Sequence, residues 1–391
     1  MTATHVAPLT ELLLAFETGK RPKGGAVEVG VPSLGGEHVT ATGELKLAPM
    51  KFVPEHFYAG MLKGHLSIGD ILVVKDGATT GRVGMVEDNF PFERAGVNEH
   101  LFLLRANQNV VGSKYLFFYL RSHRGQAEIM SDFRGAAQGG ISREIGSKVR
   151  VPLRPFEEQD RIVDLLSRAE GIVRLRREAQ DKTAELVPAL FLDMFGDPAS
   201  NPKGWPSTDF GTLGQLDRGK SRHRPRDAQE LYDGPYPFIQ TGDVTNSGGH
   251  ITRYTQTYSE LGLAQSRLWP AGTLCITIAA NIARTGVLDF DACFPDSVVG
   301  FTPSQDVTIE YIQHWLGFLQ PTLERNAPQA AQKNINLEIL RNLPVPVPPI
   351  ELQRQFAAKA DAVRGIAAQQ AAALATAQAT FDALLHQSFQ H

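Results

Sequence analysis

Val151-Pro-Leu-Arg-Pro-Phe-Glu-Glu-Gln159 is answered 194 residues later by Val345-Pro-Val-Pro-Pro-Ile-Glu-Leu-Gln353. Five of the nine positions are identical: Val151/Val345, Pro152/Pro346, Pro155/Pro349, Glu157/Glu351 and Gln159/Gln353. Each copy launches a long helical pattern. A repeat of half the 391-residue chain is far longer than the roughly 20–50 residues of a solenoid unit. It implies two similar halves, each a globular domain followed by a long helix. Two related modules in one chain suit a target that itself comes in two parts.

Working outward, the domains repeat as well. Gly69-Asp-Ile-Leu-Val-Val-Lys75 is matched by Gly272-Thr-Leu-Cys-Ile-Thr-Ile278, and Thr80–Val86 by Ile282–Leu288. Tyr115–Leu120 is matched by Tyr311–Leu316, and Gln138-Gly-Gly-Ile141 by Gln332-Lys-Asn-Ile335. The order is the same in both halves. Short apolar runs bounded by Gly, Pro and Asn predict strands, and the Tyr115 and Tyr311 segments predict helices.

The connectors predict two long helices of roughly 35–40 residues, on the order of 55 Å each at about 1.5 Å per residue. The first runs from Pro155 to about Phe195, where Gly196-Asp-Pro198 stops it. Its apolar positions are Ile162, Leu165, Ala169, Ile172, Ala179, Leu186 and Leu190, a spacing broken at Arg176 and Thr183. Pro188 is expected to kink or break it. The second carries a heptad seam at Phe356, Ala360, Val363, Ala367, Gln370, Leu374, Ala377, Phe381 and Leu384. A low-complexity Ala/Gln tail is the alternative for 367–380, but the seam persists through it. The two seams predict an antiparallel pair.

Composition narrows the classes. At 42% hydrophobic the chain can bury two ordinary cores. Its apolar runs are too short to span a membrane, and the N-terminus does not read as a signal peptide. Cys275 and Cys293 fit no metal spacing and read as reduced thiols of a cytosolic protein. A net charge of −3 is neutral on nucleic acid, because a local basic face suffices to bind phosphates.

Taken together, these residues resemble the specificity subunit of type I restriction–modification systems, over essentially the whole chain. The second half is the more typical, with Trp205-Pro206, Leu213-Gly214 and Gly234-Pro-Tyr-Pro-Phe-Ile-Gln-Thr-Gly-Asp-Val244. Gly262-Leu-Ala-Gln-Ser266, Pro270-Ala-Gly-Thr-Leu274 and the 345–353 motif complete it. In the first half Pro32-Ser-Leu-Gly-Gly-Glu-His-Val39 replaces the Pro-Phe-Ile-Gln-Thr-Gly-Asp-Val pattern, and no Trp opens the domain.

The resemblance implies an α+β fold of two similar globular target-recognition domains (1–150 and 205–344). They are separated by a pair of long antiparallel coiled-coil helices, from the spacers 151–204 and 345–391, with pseudo-twofold symmetry. It further implies that each domain reads one half of a bipartite, asymmetric site on double-stranded DNA. The helices set the spacer and dock two methyltransferase subunits, which carry S-adenosylmethionine, and restriction motor–nuclease subunits join for cleavage. The chain itself would have no cofactor, metal or catalysis, and would be cytoplasmic.

The residues support DNA reading on their own terms. Arg218, Lys220, Arg222, Arg224 and Arg226 lie within nine residues, separated by Gly219, Ser221, His223 and Pro225, which predicts a basic loop. Such a loop neutralises phosphates without reading sequence. Lys20, Arg21 and Lys23 form a weaker counterpart. A charge run is usually a solvated loop, but here both halves place one before a matching strand. Base edges need rigidly held polar side chains in loops after the core strands. In the first half these are Lys75, Thr79, Thr80, Arg82, Arg134, Gln138 and Arg143. In the second they are Thr241, Asn246, Asn281, Arg284, Gln332, Lys333 and Asn334. For each of these, a turn residue satisfying its own backbone is the competing role.

Enzyme signals fail on inspection. Gly77-Ala-Thr-Thr-Gly-Arg-Val-Gly84 lacks the Lys-Ser/Thr of a P-loop. Asn89-Phe-Pro-Phe92 has Phe90 where an amino-methyltransferase motif needs proline. Glu44-Leu-Lys46 ends like a nuclease motif, but no aspartate precedes it. The eleven histidines show no His-x-x-x-His pairing, so no metal centre is expected. The competing function is a helix-tethered scaffold that holds two protein partners without reading DNA.

Overall fold

Ile71-Leu-Val-Val74 is continuously apolar where a half-exposed strand would alternate. In the computed structural model, which describes residues 5–135, 139–279, 281–326 and 335–390, Ile71–Val74 is an inner strand covered on both faces. Ile71 and Val73 join one apolar cluster with Phe102, Leu104 and Tyr115. Leu72 and Val74 join another with Leu34, Val97 and Leu103. A strand buried on both sides favours apolar residues at every position. The matching Leu274–Thr277 strand does the same: Leu274 and Ile276 enter one cluster, Cys275 another. That burial raises the Cys275 thiol pKa well above its usual range.

The chain forms two units, Met1–Arg177 with Ala372–His391, and Glu178–Ala371. The first runs β1 (His5–Pro8), β2 (Leu13–Thr18), β3 (Val31–Leu34), β4 (Phe52–Val53), α1 (Glu55–Ala59), β5 (Ile71–Val74), β6 (Val83–Met85), β7 (Gly96–Val97) and β8 (Leu101–Ala106). There follow α2 (Ser113–Arg121), α3 (His123–Met130), α4 (Ile145–Lys148), β9 (Arg150–Leu153) and the start of α5 (Phe156–Phe195). β2, β8, β5 and β6 make an antiparallel sheet in that order. β1 pairs with β9, setting Ala7 opposite Val151 of the repeated motif.

The second unit runs β10 (Ser207–Asp209), β11 (Gly214–Arg218), β12 (Tyr232–Phe238), α6 (Thr241–Thr245), β13 (His250–Ile251), β14 (Gln256–Tyr258), α7 (Glu260–Ala264), β15 (Leu274–Thr277), β16 (Thr285–Leu288) and β17 (Val298–Pro303). It ends with α8 (Ile309–Asn326), α9 (Leu337–Arg341), β18 (Pro344–Pro346) and the first part of α10 (Ile350–Ser388). Its sheet order is β11-β17-β15-β16-β13. β10 pairs with β18, setting Thr208 opposite Val345, as in the first unit.

The repeat holds at the level of single bonds. Tyr115 donates its hydroxyl to the Pro152 carbonyl at 2.7 Å, and Tyr311 donates to the carbonyl of Pro346. The turn after each core strand closes with the same bond. Gly81 N donates to Val74 O at 2.8 Å, and Ala283 N donates to Thr277 O at 2.8 Å. Both turn residues have positive φ, +84° and +57°.

Each unit contains one end of both long helices, running antiparallel. In the first, Leu166 and Val173 of α5 share a cluster with Phe381, Leu385 and Phe389, and the Arg154 side chain reaches the Ser388 carbonyl at 3.2 Å. In the second, Phe191 and Phe195 lie 5.5 and 5.3 Å from Phe356. The closing aromatic of each helix packs on the repeated tyrosine: Phe389 on Tyr115 at 5.3 Å, Phe195 on Tyr311 at 4.9 Å. Gly196, at φ +81°, ends α5, and the Trp205 indole donates to the Phe195 carbonyl at 3.0 Å.

The α10 seam lies where its heptads placed it: all nine predicted positions are buried or partly buried. The α5 seam is corrected. Leu165, Ile172 and Leu186 are exposed, while Leu166, Val173 and Phe191 are buried. Thr183, expected to break the seam, lies buried within it and donates to the Ala179 carbonyl at 2.7 Å. α5 carries apolar residues on adjacent positions (165/166, 172/173), so periodicity alone allows two phases. Pro188 does not end the helix, which continues to Phe195.

Candidate nucleic-acid interface

Antiparallel pairing decides which loops share an edge. In the first unit Thr18 pairs with Phe102, Val74 with Leu101 and Val73 with Val83. The ends of β2 and β5 and the starts of β6 and β8 therefore lie together, gathering loops 19–24, 75–82 and 98–100. The segment after α3 joins them: Ile141 N donates to Lys75 O at 2.8 Å, and Asp76 is bridged to Gly140. In the second unit Arg218 pairs with Val299, Thr277 with Val298 and Ile276 with Thr285, which gathers the matching loops 219–226, 278–284 and 295–297. Ile335 N donates to Ile278 O at 3.0 Å, the counterpart of the Ile141 bond.

Three cations of the first edge are paired with acids. Lys20 and Lys23 are exposed. Arg21 is committed to Glu99 through Nε at 2.8 Å and a second contact from Nη2, with His100 Nε2 at 2.9 Å. Burial opposes ionisation of Glu99, but the Arg21 hydrogen bond and charge, a backbone hydrogen bond and His100 together outweigh it and hold the carboxyl below its usual range. Lys75 lies 3.7 Å from Asp76, which also contacts His100. Arg134 pairs with Glu144 and sits 3.5 Å from Asp132. Thr80 donates to Gly77 O at 2.7 Å, a local turn bond, and Thr79 reaches Gly36 O at 3.5 Å. Arg143 stands over the Phe16 ring at 5.0 Å. Gln138 falls outside the described residues.

The second edge is cationic. Arg218, Lys220 and Arg222 are exposed and make no ion pair among the described residues. Asp217 is occupied elsewhere: the Gln215 amide, and then Arg267 at 3.3 Å, hold its carboxyl below the usual range against desolvation. Arg224 donates to the carbonyls of Ser221 and His223, and Arg226 pairs with Asp296 at 2.8 Å. The loop is anchored rather than loose. Gln265 accepts from the amides of Arg222 and His223 at 2.6 and 3.0 Å, and Ser266 donates to the Lys220 carbonyl at 2.8 Å. These two anchors escaped the site prediction, although both belong to the quoted 262–266 stretch.

The other second-unit candidates divide. Thr241 and Asn246 lie at the two ends of α6. Asn246 lines a polar groove of about 680 Å³ with Gln240, Arg253 and Gln256. Asn281 reaches Thr245 Oγ1 at 3.4 Å. Arg284 lines a cleft against Thr183 and Val363 of the long helices, and its counterpart Arg82 lines a similar cleft against Val173 and Phe381. Gln332, Lys333 and Asn334 fall outside the described residues. Among the described residues no group of three or more His, Cys, Asp or Glu is placed to hold a metal ion. Among the described residues no helix is long and apolar enough to cross a membrane.

A family model, the type I restriction modification DNA specificity domain, matches residues 202–370. A protein of Methanocaldococcus jannaschii, described as the type I restriction enzyme MjaX specificity subunit, is 21% identical over 376 residues, 92% of this chain and 86% of that protein. Residues 202–370 carry the type I restriction modification DNA specificity domain, and the chain as a whole is similar to a type I specificity subunit. Both matches support DNA sequence recognition. The fold is shared across the full length. A chain solved in work on complex assembly and conformational transition of the type I R-M system superposes with a TM-score of 0.62, at 19% identity, covering 100% of this chain and 98% of that one. The type I restriction–modification S subunit from M. genitalium gives 0.54 at 15% identity, covering 100% and 97%. The family model covers the half with the quoted Trp205-Pro206 and Gly234–Val244 features. The first half follows the same plan, as the repeated bonds show.

Proposed function

We propose that each unit reads one half of a bipartite, asymmetric site on double-stranded DNA, using the loops gathered at its sheet edge. The observation that carries this reading is the repetition of one edge, loop for loop, in two units of one chain. Exposed cations near the strand ends engage phosphates, and polar side chains held by the strand-end turns reach base edges. The long helices set the spacer and dock two methyltransferase subunits, which supply S-adenosylmethionine and the methylation chemistry. Restriction subunits add cleavage, and the assembly works in the cytoplasm. The chain itself performs no catalysis.

The test is the methylated motif in the source genome, mapped with and without this chain. A two-part motif that disappears with the chain is expected; methylation that does not depend on a two-part sequence would refute the reading. Inserting four residues in both long helices, near 177 and 371, adds about 6 Å. That equals one or two base pairs at about 3.4 Å each. The spacer should lengthen while both half-sites stay the same.

A further inference from the structure

We infer that Leu62 is a DNA-contacting residue of the first unit, an aliphatic tip that enters a groove while neighbouring lysines hold phosphates. This rests on the DNA-reading function proposed above. Leu62 is 100% exposed, the extreme among the described large hydrophobic residues. A single exposed leucine is ordinary on a protein surface. This one is held there by its neighbours on both sides.

The loop that carries it is tied down before and after the tip. Met61 N donates to the Tyr58 carbonyl at 3.1 Å, and His65 Nε2 bonds the Met61 carbonyl at 2.8 Å. Gly64 N donates to Glu17 at 2.7 Å, and the Gly64 carbonyl accepts from Val97 N at 2.9 Å. Gly64 has φ +86°, and a Cβ there would lie 2.9 Å from the Gly19 Cα. The tip therefore sits against the start of the 19–24 loop at the sheet edge. Leu62 is followed by exposed Lys63, with exposed Lys20 and Lys23 on the adjoining loop.

A rigid apolar tip flanked by cations has the chemistry of a duplex groove. Thymine methyl groups and base steps offer apolar surface, and the phosphates alongside take the lysines. The two contributions separate by salt. Phosphate contacts release counterions; an apolar contact releases none.

The experiment measures binding of the full chain to a duplex carrying its mapped methylation motif, from about 50 to 200 mM salt. Leu62→Ala should bind about tenfold more weakly at every salt concentration, from the lost burial of a leucine, with the salt slope of the wild type. Lys63→Gln should lower the slope by about 0.9. Leu62→Ala and Leu62→Gln should melt like the wild type, because the side chain packs on nothing. Wild-type binding by Leu62→Ala overturns the proposal and leaves DNA reading intact, as does unchanged binding with loss of a co-purifying protein. A wild-type chain that does not distinguish its motif from a scrambled duplex sinks the reading itself.

Discussion

The side-chain carbonyl of Gln159 accepts the backbone amide of Gly112 at 2.9 Å, tying the first turn of α5 to the start of α2. Its amide donates to the Arg154 carbonyl at 2.9 Å. In the second unit Gln353 accepts from Thr308 N at 2.9 Å and donates to Asp306 O and Pro348 O at 3.0 and 2.8 Å. Both side chains are buried. This clamp is why the repeated motif ends in glutamine.

Replacing either glutamine by leucine orphans a buried amide and at least one carbonyl. We predict a loss of about 2–3 kcal/mol for Gln159→Leu, and no less for Gln353→Leu. Urea denaturation of the full chain measures it. Wild-type stability in either variant would show that the clamp contributes nothing.

Neutralising Arg218, Lys220 and Arg222 together with glutamine should weaken binding to all duplexes and flatten the salt dependence by up to about 2.7, at about 0.9 per phosphate contact. The methylated motif should not change. Arg21→Gln should alter the slope less than any one of these, because Glu99 already occupies that guanidinium. A changed motif with an unchanged slope would contradict the assignment of this loop to phosphates.

Asp132 is buried, and accepts from Ser142 N at 2.6 Å, Ser142 Oγ at 2.7 Å and Lys148 Nζ at 2.7 Å. Burial opposes its ionisation, but Lys148 and Ser142 outweigh it and hold the pKa at about 2. A depressed folded-state pKa contributes stability above the unfolded value of about 3.9, lost as pH falls through the folded value. Asp132→Asn should cost about 2 kcal/mol at neutral pH. The gap to the wild type should close between about pH 4 and 2, as followed by denaturation at stepped pH. A gap independent of pH would assign the loss to packing. Because Asp132 holds Ser142, which follows Gly140 and Ile141 at the edge, the same variant should loosen recognition in one half-site only.

His314, edge-on to Phe356 at 5.3 Å, has its pKa lowered to about 4, by burial first and Arg364 second. The stability tied to its neutral form is present above about pH 6.5 and is lost as pH falls toward 4. Acidification over that window should lower the melting temperature of the wild type more than that of His314→Gln. Equal losses would clear this histidine.

The sequence reached the site unevenly. Its basic loop, matched strands and closing turns were legible because composition and spacing mark them locally. Which cations stay available was not: Glu99 lies 78 residues from Arg21 and Asp296 lies 70 from Arg226, and nothing in either segment announces the partner. Gln265 was written in the quoted motif, yet its role as the anchor of a loop 42 and 43 residues away is a matter of contact alone. Arg82 and Arg284 matched each other as expected, but both line clefts facing the long helices.

The amino-acid order by itself determined two units of one design, two long helices and the α10 seam, since a recurring motif and a heptad period are properties of the chain alone. Only the tertiary structure decided the phase of α5. Leu165 and Leu166 are equally apolar, and which one is buried depends on where Phe381 and Leu385 come to rest. It also decided the charge of the two edges, because an ion pair cancels a cation only when distant segments have folded into reach.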